Sequence, residues 1–336
     1  MMQSPIRVGL IGTGYAAKLR AEAFTSDPRS RLMAVSGRDL DRTQTFAQPF
    51  GAEVVPQWES LVQRLDIDLI VIATLNRDHG FMTKMALQAG KAVVVEYPLS
   101  LDLPEAEALA KLAQERNQLL HVEHIELLSG IHLAAAESLA AIGSPFYVRY
   151  ATLNPQHPAP QKWTYQPDLF GFPFMGAVSR IHRLTNLFGS VATVTGQVRY
   201  WSREGFALPT WAGTDFFAGC ICTAQLRFTS GLIADVTYGK GEICWQANRT
   251  LEVQGDKGAL IFEGEKGMLV QGEQSQPIDT GSRRGLFAKD TRRILDHLLE
   301  GTPLYVSLEE SLYALNVADA VRRSAETGQT IPLSPN

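Results

Sequence analysis

The chain has 336 residues, 45% of them hydrophobic, with 31 Lys and Arg against 35 Asp and Glu and a formal net charge of −4. This length predicts about two domains, and the composition builds ordinary cores. A pI near 6.0, with no basic stripe interleaved with aromatics, gives no electrostatic footprint for nucleic acid, so the expected partner is a small molecule.

Residues 6–24, IRVGLIGTGYAAKLRAEAF, begin with a short β-branched apolar run, Ile6 to Ile11. At Gly12 this gives way to Leu19, Ala23 and Phe24 at helical spacing, so the pattern is strand, tight turn, helix. Gly12, Gly14 and Ala17 fit G-x-G-x-x-G/A. In that motif the first glycine permits the turn, the second admits a pyrophosphate and a small third residue packs helix on strand. The phosphates would sit on the amides of the helix N-terminus, which makes Gly12, Thr13, Gly14, Tyr15 and Ala16 cofactor-binding candidates. Glycine-rich turns also join strands to helices with nothing bound, so the motif needs its context. MMQSPIRVG runs straight into the first strand without a signal peptide, and no apolar run approaches the ~18 residues that suggest a membrane span; a cytoplasmic protein is expected.

The context is alternating strands and helices. RLMAVS (31–36) precedes a helix starting near Asp39. AEVV (52–55), a helix around WESLVQRL, and DLIVIAT (68–74) follow. Then come HGFMTKMALQAG, KAVVVEYP, the helix DLPEAEALAKLAQERN and LLHVEH. Six strand-like runs separated by helical patterns predict an α/β Rossmann domain over residues 1–124, a doubly wound parallel sheet that binds ligands at the carboxyl ends of its strands. Polar residues gather there: Ser36, Gly37 and Arg38 after the second strand, Thr74, Leu75, Asn76 and His79 after the fourth, Glu96 and Tyr97 after the fifth, and His124 after the sixth. An acid after the second strand would hold a ribose 2′-hydroxyl, whereas a serine and an arginine suit a 2′-phosphate. VSGRD has Gly37 where the acid is sought, and Asp39 reads as a helix N-cap. NADPH is therefore the expected cofactor, the other reading of Arg38 being a solvated surface charge.

Residues 125–336 read differently. A helix, IELLSGIHLAAAESLAAIG, leads to the strand FYVRYATL, an aromatic loop from Asn154 to Phe174 and the helix MGAVSRIHRLTNLFG. Strand patterns VATVTGQVRYWS, CTAQLRFTSGLIADVTYGKG and TLEVQGDKGALIFEG follow, with hairpin turns at 229–231 and 255–258. Two more helices close the chain, the last opened by a capping box of Ser307 and Glu310 and ended by Gly328. These elements predict an α+β domain around a large, mostly antiparallel open sheet. Cys220, Cys222 and Cys244 are too few and odd in number for a disulfide framework, and no histidine lies near them in sequence; core packing is expected and no metal site.

The fingerprint, ATLNRDHG, ALQAGKAVVVEYPL and the antiparallel second domain together resemble the Gfo/Idh/MocA oxidoreductases, over nearly the whole chain. Within that family GTGYAAKLRAEAF, EYPLSL, LLHVEHIELL, KWTY with FGFP, GSRRGLFAKDT and PLYVSLEESLYAL are similar to the biliverdin reductases of the cyanobacterial type. That resemblance implies NADPH-dependent reduction of biliverdin IXα, a linear tetrapyrrole, at its central methine carbon to bilirubin. The family's sugar and polyol dehydrogenases usually carry Glu-Lys-Pro where this chain has Glu96, Tyr97 and Pro98, and their catalytic Asp and His find no match near MGAVSRIHRLTNLFG.

Hydride addition to a methine bridge needs a proton for a pyrrole nitrogen and a surface for a long conjugated ligand, rather than a base for a hydroxyl. Trp163, Tyr165, Phe170, Phe172 and Phe174 offer flat apolar surface, and Lys162, Arg180 and Arg183 offer charge for two propionates; the same aromatics could simply build the core. Glu126 is a supporting candidate. Arg180 and Tyr97 compete for proton delivery, with Glu96 as an orienting group, and His182 reads as an ordinary residue of an amphipathic helix. Two other functions remain open at this point: a sugar or polyol dehydrogenase of the same fold, and a non-catalytic regulator that binds NADP(H).

Overall fold

The computed structural model describes residues 2–202, 207–208, 216–282 and 284–334. The chain divides into two compact units, Met1–Ile125 with Gly285–Leu312, and Glu126–Arg284 with Tyr313–Asn336. Sequence reasoning divides it once, at 124/125. The difference is the segment Gly285–Leu312, which returns to the first unit.

The first unit is a parallel sheet of β1 (Ile6–Ile11), β2 (Ser30–Ser36), β3 (Glu53–Val54), β4 (Leu69–Ile72), β5 (Ala92–Val95) and β6 (Leu120–Val122). Their order is β3-β2-β1-β4-β5-β6, every pair parallel. Helices α1 (Tyr15–Ser26), α2 (Leu40–Ala47), α3 (Trp58–Val62), α4 (His79–Gln88) and α5 (Leu103–Glu115) connect them. All four residues of β4 and of β5 are buried, which is why these strands read as unbroken apolar runs rather than as alternation. The order reverses between β1 and β4, so the Gly12 turn opens at the switch point, where doubly wound sheets bind ligands. Asp39 accepts from the Arg42 amide at 2.8 Å and caps α2 as expected.

The returning segment carries α10 (Leu286–Glu300). Ile294, Leu295 and Leu298 of this helix join Ile6, Val8, Leu10, Ala17 and Phe24 in one apolar cluster. Beside it lies a buried charge network. The Arg20 side chain on α1 is 0% exposed and pairs with Glu96 at 2.8 Å and with Asp290 of α10. His121 Nε2 lies 2.9 Å from the other Asp290 oxygen. Burial alone would raise the Asp290 carboxyl, but Arg20 and His121 outweigh it and hold it below the usual carboxylate range. Burial and the neighbouring Glu96 push Glu123 well above its ordinary value, toward the neutral acid.

The second unit holds α6 (Gly130–Ser138), α7 (Pro167–Phe170), α8 (Pro173–Gly176) and α9 (Ser179–Phe188). Its strands are β7 (Pro145–Pro155), β8 (Val191–Trp201), β9 (Ala207–Leu208), β10 (Gly219–Phe228), β11 (Ile233–Gly241), β12 (Asn248–Gly255), β13 (Gly258–Glu263), β14 (Lys266–Gln271), β15 (Gln274–Ile278) and β16 (Ile331–Pro332). They form one sheet in the order β15-β14-β13-β12-β7-β11-β10-β8-β16, with β9 on β8. Every pairing is antiparallel except β7 with β11. The hairpins turn at Gly231, with φ +91°, and between Gly255 and Gly258. The single helix expected over 125–143 is broken at Ser129, whose side chain accepts from the His132 amide and restarts the turn as α6. Helix α11 (Leu308–Thr327) opens on the expected capping box, Ser307 N to Glu310 Oε2 at 2.7 Å and Glu310 N to Ser307 Oγ at 3.1 Å. The three cysteines are free and buried. Among the described residues no helix is long and apolar enough to cross a membrane.

Breaking a buried ion pair from one side leaves an uncompensated charge in low dielectric. Asp290→Ala is therefore expected to lower the unfolding free energy by about 3–5 kcal/mol, read from urea denaturation; a loss below about 1 kcal/mol would show that Arg20 does not depend on α10.

Candidate functional site

In the first unit the candidates line the carboxyl edge of the parallel sheet. Gly12 has φ +127°, and a Cβ there would stand 2.1 Å from the Ala73 carbonyl oxygen, so only glycine lets β1 pass β4 so closely. Its amide donates to the Ser36 carbonyl at 2.8 Å. Gly14 is the N-cap of α1 without a side-chain cap, and a Cβ there would meet nothing within 4 Å. Space is thus open at Gly14, at the positive N-terminal end of a twelve-residue helix without a side-chain cap. These residues fit a dinucleotide pyrophosphate. Ser36 is buried. Gly37 is crowded by Thr13 and Thr43, which a Cβ would meet at 2.8 and 2.5 Å.

Arg38 is exposed and makes no ion pair among the described residues. Arg42, which sequence reasoning missed, reaches back to the Thr13 carbonyl at 3.4 Å. Its signal was available: two arginines, 38 and 42, flank the α2 cap residue. The pair gives the end of β2 two cations and one capping acid, which suits a 2′-phosphate better than a bare ribose hydroxyl.

Further along the edge Thr74 is partly exposed, while Leu75, Asn76 and His79 are buried. His79 Nδ1 lies 2.8 Å from the Pro98 carbonyl and so braces the Glu96-Tyr97-Pro98 turn, where the Tyr97–Pro98 peptide is cis. Burial lowers the His79 imidazole. Glu96 is fixed by Arg20. The Tyr97 ring stacks on His124, centroids 5.9 Å apart and planes within 4°. The His124 amide in turn donates to Tyr305 Oη at 3.2 Å, so the returning segment braces this turn through two side chains, Asp290 and Tyr305.

In the second unit Arg180, Arg183 and Arg249 converge on the inner face of the sheet. An open groove of about 760 Å³ is lined by Thr152, Asn154, Arg180, Tyr238 and Arg249 among others. A smaller cavity adjoins it at Glu126, Tyr150, Arg180, Arg183 and Arg249. The Arg180 guanidinium lies over the Tyr238 ring, 5.5 Å from its centroid. Arg183 is buried, bonded to Glu126 Oε2 at 2.8 Å and to Ser129 Oγ at 3.2 Å. Glu126 therefore acts on Arg183 and neutralises it. Arg249 was missed: it is the second residue of β12, opposite Thr152, a register that sequence alone does not set.

The aromatic loop is split. Lys162 is exposed and Trp163 half-buried. Tyr165, Phe172 and Phe174 are buried, with Tyr165 Oη donating to Gln156 Oε1 at 2.7 Å. These three rings line neither the groove nor the smaller cavity and pack as core. His182 is buried as well, its imidazole pushed down to about 3 by burial and then by His132.

The chain matches two models of one family. Residues 6–124 match the oxidoreductase family with an NAD-binding Rossmann fold, and residues 139–333 match that family's C-terminal α/β domain. The chain belongs to the Gfo/Idh/MocA oxidoreductases. Like its family it is an NAD(P)-dependent oxidoreductase. Among solved structures it is similar to a biliverdin reductase from Synechocystis sp. PCC 6803 in complex with biliverdin and NADP+, at 48% identity and TM-score 0.92, covering 96% of this chain and 100% of that one. Among curated relatives it is 36% identical to dTDP-3,4-didehydro-2,6-dideoxy-alpha-D-glucose 3-reductase of Actinomadura kijaniata over 96% of both chains. It is 30% identical to mouse biliverdin reductase A over 56% of this chain and 60% of that one.

Two buried imidazoles, His132 on α6 and His182 on α9, give the second unit's stability a pH signature. Burial, then Arg183, lowers His132 to about 4, and His182 stands at about 3. In the unfolded chain both titrate near ~6.5. Between about pH 6.5 and 4 the unfolded state therefore binds more protons than the folded state, and stability falls as pH falls. Urea midpoints should drop across this window and drop less steeply in His182→Leu; equal slopes for variant and parent would contradict a neutral buried His182.

Proposed function

We propose that the protein reduces biliverdin IXα at its central methine carbon to bilirubin with NADPH. The observation that carries this reading is the likeness to the Synechocystis biliverdin reductase along 96% of the chain. A bound nicotinamide supplies the hydride. The Gly12–Ala16 turn holds the pyrophosphate, and Arg38 with Arg42 reads the 2′-phosphate.

Hydride addition at the methine leaves negative charge on the conjugated pyrrole nitrogens, so the site must stabilise that charge and provide a proton. Arg180 is the group assigned to this task. Its guanidinium stays charged throughout, steadies the developing anion and orders a water that gives the proton. Tyr97 is the competing direct donor, with a more suitable reference acidity of about 10. Because Arg183 is already paired with Glu126, the propionates fall to Arg249 and Lys162, while Trp163 supplies apolar surface.

A second reading, reduction of a nucleotide-linked keto sugar, draws on the Actinomadura kijaniata relative. Tyr97 weighs against it, since the family's sugar-acting members usually carry a lysine there.

Protein mixed with NADPH and biliverdin should turn the green bilin yellow. NADPH oxidation by a dTDP-keto sugar alone would support the second reading, and silence with both would support a binding protein. Arg38→Ala should reduce the preference for NADPH over NADH by roughly tenfold to a hundredfold, the worth of one charge-assisted contact; equal use of both cofactors by the parent would sink that assignment. Arg180→Ala should cut kcat by on the order of a hundredfold, and Tyr97→Phe by less. A raised KM with kcat unchanged would make Arg180 a binding residue only.

A further inference from the structure

Neither the cofactor edge nor the groove accounts for Lys240. On β11 the residues Ala234, Val236, Tyr238 and Lys240 share the inward phase, and all four are buried, Lys240 at 5% exposure. No ion pair reaches this ammonium among the described residues. A charge taken out of water without a carboxylate is costly, and an unbranched apolar side chain such as methionine would fill the same kind of space without that cost.

What surrounds Lys240 offsets the burial. Its Nζ donates to the Thr164 carbonyl, inside the 3₁₀ turn Trp163–Tyr165. It lies 3.8 Å from the Phe170 ring centroid, 4.8 Å from Tyr165, 5.3 Å from Phe217 and 5.9 Å from Tyr238. A cation among ring faces with a carbonyl acceptor is held by their negative electrostatics rather than by a counter-ion. Three of these contacts, the Thr164 carbonyl and the Tyr165 and Phe170 rings, belong to the segment that carries Trp163, whose own ring meets Phe170 at 6.0 Å. A fourth, Tyr238, is the ring over which the Arg180 guanidinium lies.

We infer that Lys240 is a positioning residue whose ammonium gathers the Trp163–Phe170 segment and the Tyr238 ring into the arrangement that holds Arg180 against the groove. Burial pushes the Lys240 ammonium down to about 8, so it keeps its charge at neutral pH. The consequence for turnover rests on the biliverdin reading above; the consequence for the segment does not.

Lys240→Met tests both, because it removes the charge and keeps an unbranched side chain. Amide hydrogen exchange in residues 163–170 should accelerate about tenfold, the worth of losing one desolvated cation–π site, while the strands of the parallel sheet exchange as in the parent. The kcat for biliverdin should fall about tenfold with NADPH affinity unchanged, since an indirect effect on Arg180 acts on the transition state. Parent-like exchange in residues 163–170 would overturn the inference. If the parent itself does not turn over biliverdin, the functional reading fails and the exchange measurement still decides the role of Lys240. Should Lys240→Met not fold, Phe170→Leu removes the nearest ring and keeps the ammonium; it should speed exchange in the same residues by about threefold, and no change there would equally overturn the inference.

Discussion

Burying the guanidinium of Arg20 is the constraint on which the first unit depends. A cation without water must be surrounded by acceptors, and these come from the turn after β5 (Glu96) and from α10 (Asp290), with Glu123 just after β6 and His121 completing the group. The pairing ties together α1, whose first turn fits phosphate, and the turn after β5. It also explains why a segment that begins at Gly285, far beyond the end of the sixth strand at Val122, comes back: Asp290 and the apolar face of α10 are both completed there. Three acids around one cation exceed the charge to be balanced, and the structure resolves the excess by holding Asp290 ionised and pushing Glu123 toward neutrality. Glu96, engaged by Arg20, is then better suited to fixing the turn than to abstracting a proton.

The second unit uses its cations differently. Arg183 and Arg180 stand three residues apart on α9, yet one is buried against Glu126 while the other leans over Tyr238 toward the groove. The Arg183 guanidinium, paired with Glu126, locks α9 to the chain around Glu126, whereas Arg180 rests on the Tyr238 face and donates to Ser179 Oγ at 2.9 Å. Composition does not distinguish these two states.

Much of the first unit was legible because its signals are local. The strand–turn–helix of residues 6–24, the Asp39 cap and the apolar runs of β4 and β5 are dictated within a few residues. Arg20 left a trace that went unread: Ala17, Arg20, Ala21 and Phe24 fall on one helical face, and all are buried, so the arginine had to find partners inside. Arg249 left none, since its place in the groove follows from a strand register set by β7. The aromatic loop was legible as aromatic but not as lining or core, because a ring packed inside and a ring facing a ligand are equally apolar. Strands β14 and β15 were missed because β15 is almost wholly exposed and polar, leaving no alternation to read.

The chemistry of the groove bears on the choice between bilin and sugar. The ionisable side chains lining its two cavities are Glu126, Tyr150, Arg180, Arg183, Tyr238, Arg249 and Glu263, and no histidine or lysine is among those lining residues. His132 on α6 and His182 on α9 are driven neutral by burial. A sugar dehydrogenase must move the proton of a carbinol, and the efficient group for that titrates near the working pH. Among the described lining residues the cations are guanidiniums, which suit a reaction that creates an anion spread over a conjugated ligand and then quenches it from water. Arginine keeps its proton while stabilising such an anion, so these side chains act by fixed charge rather than by taking up a proton.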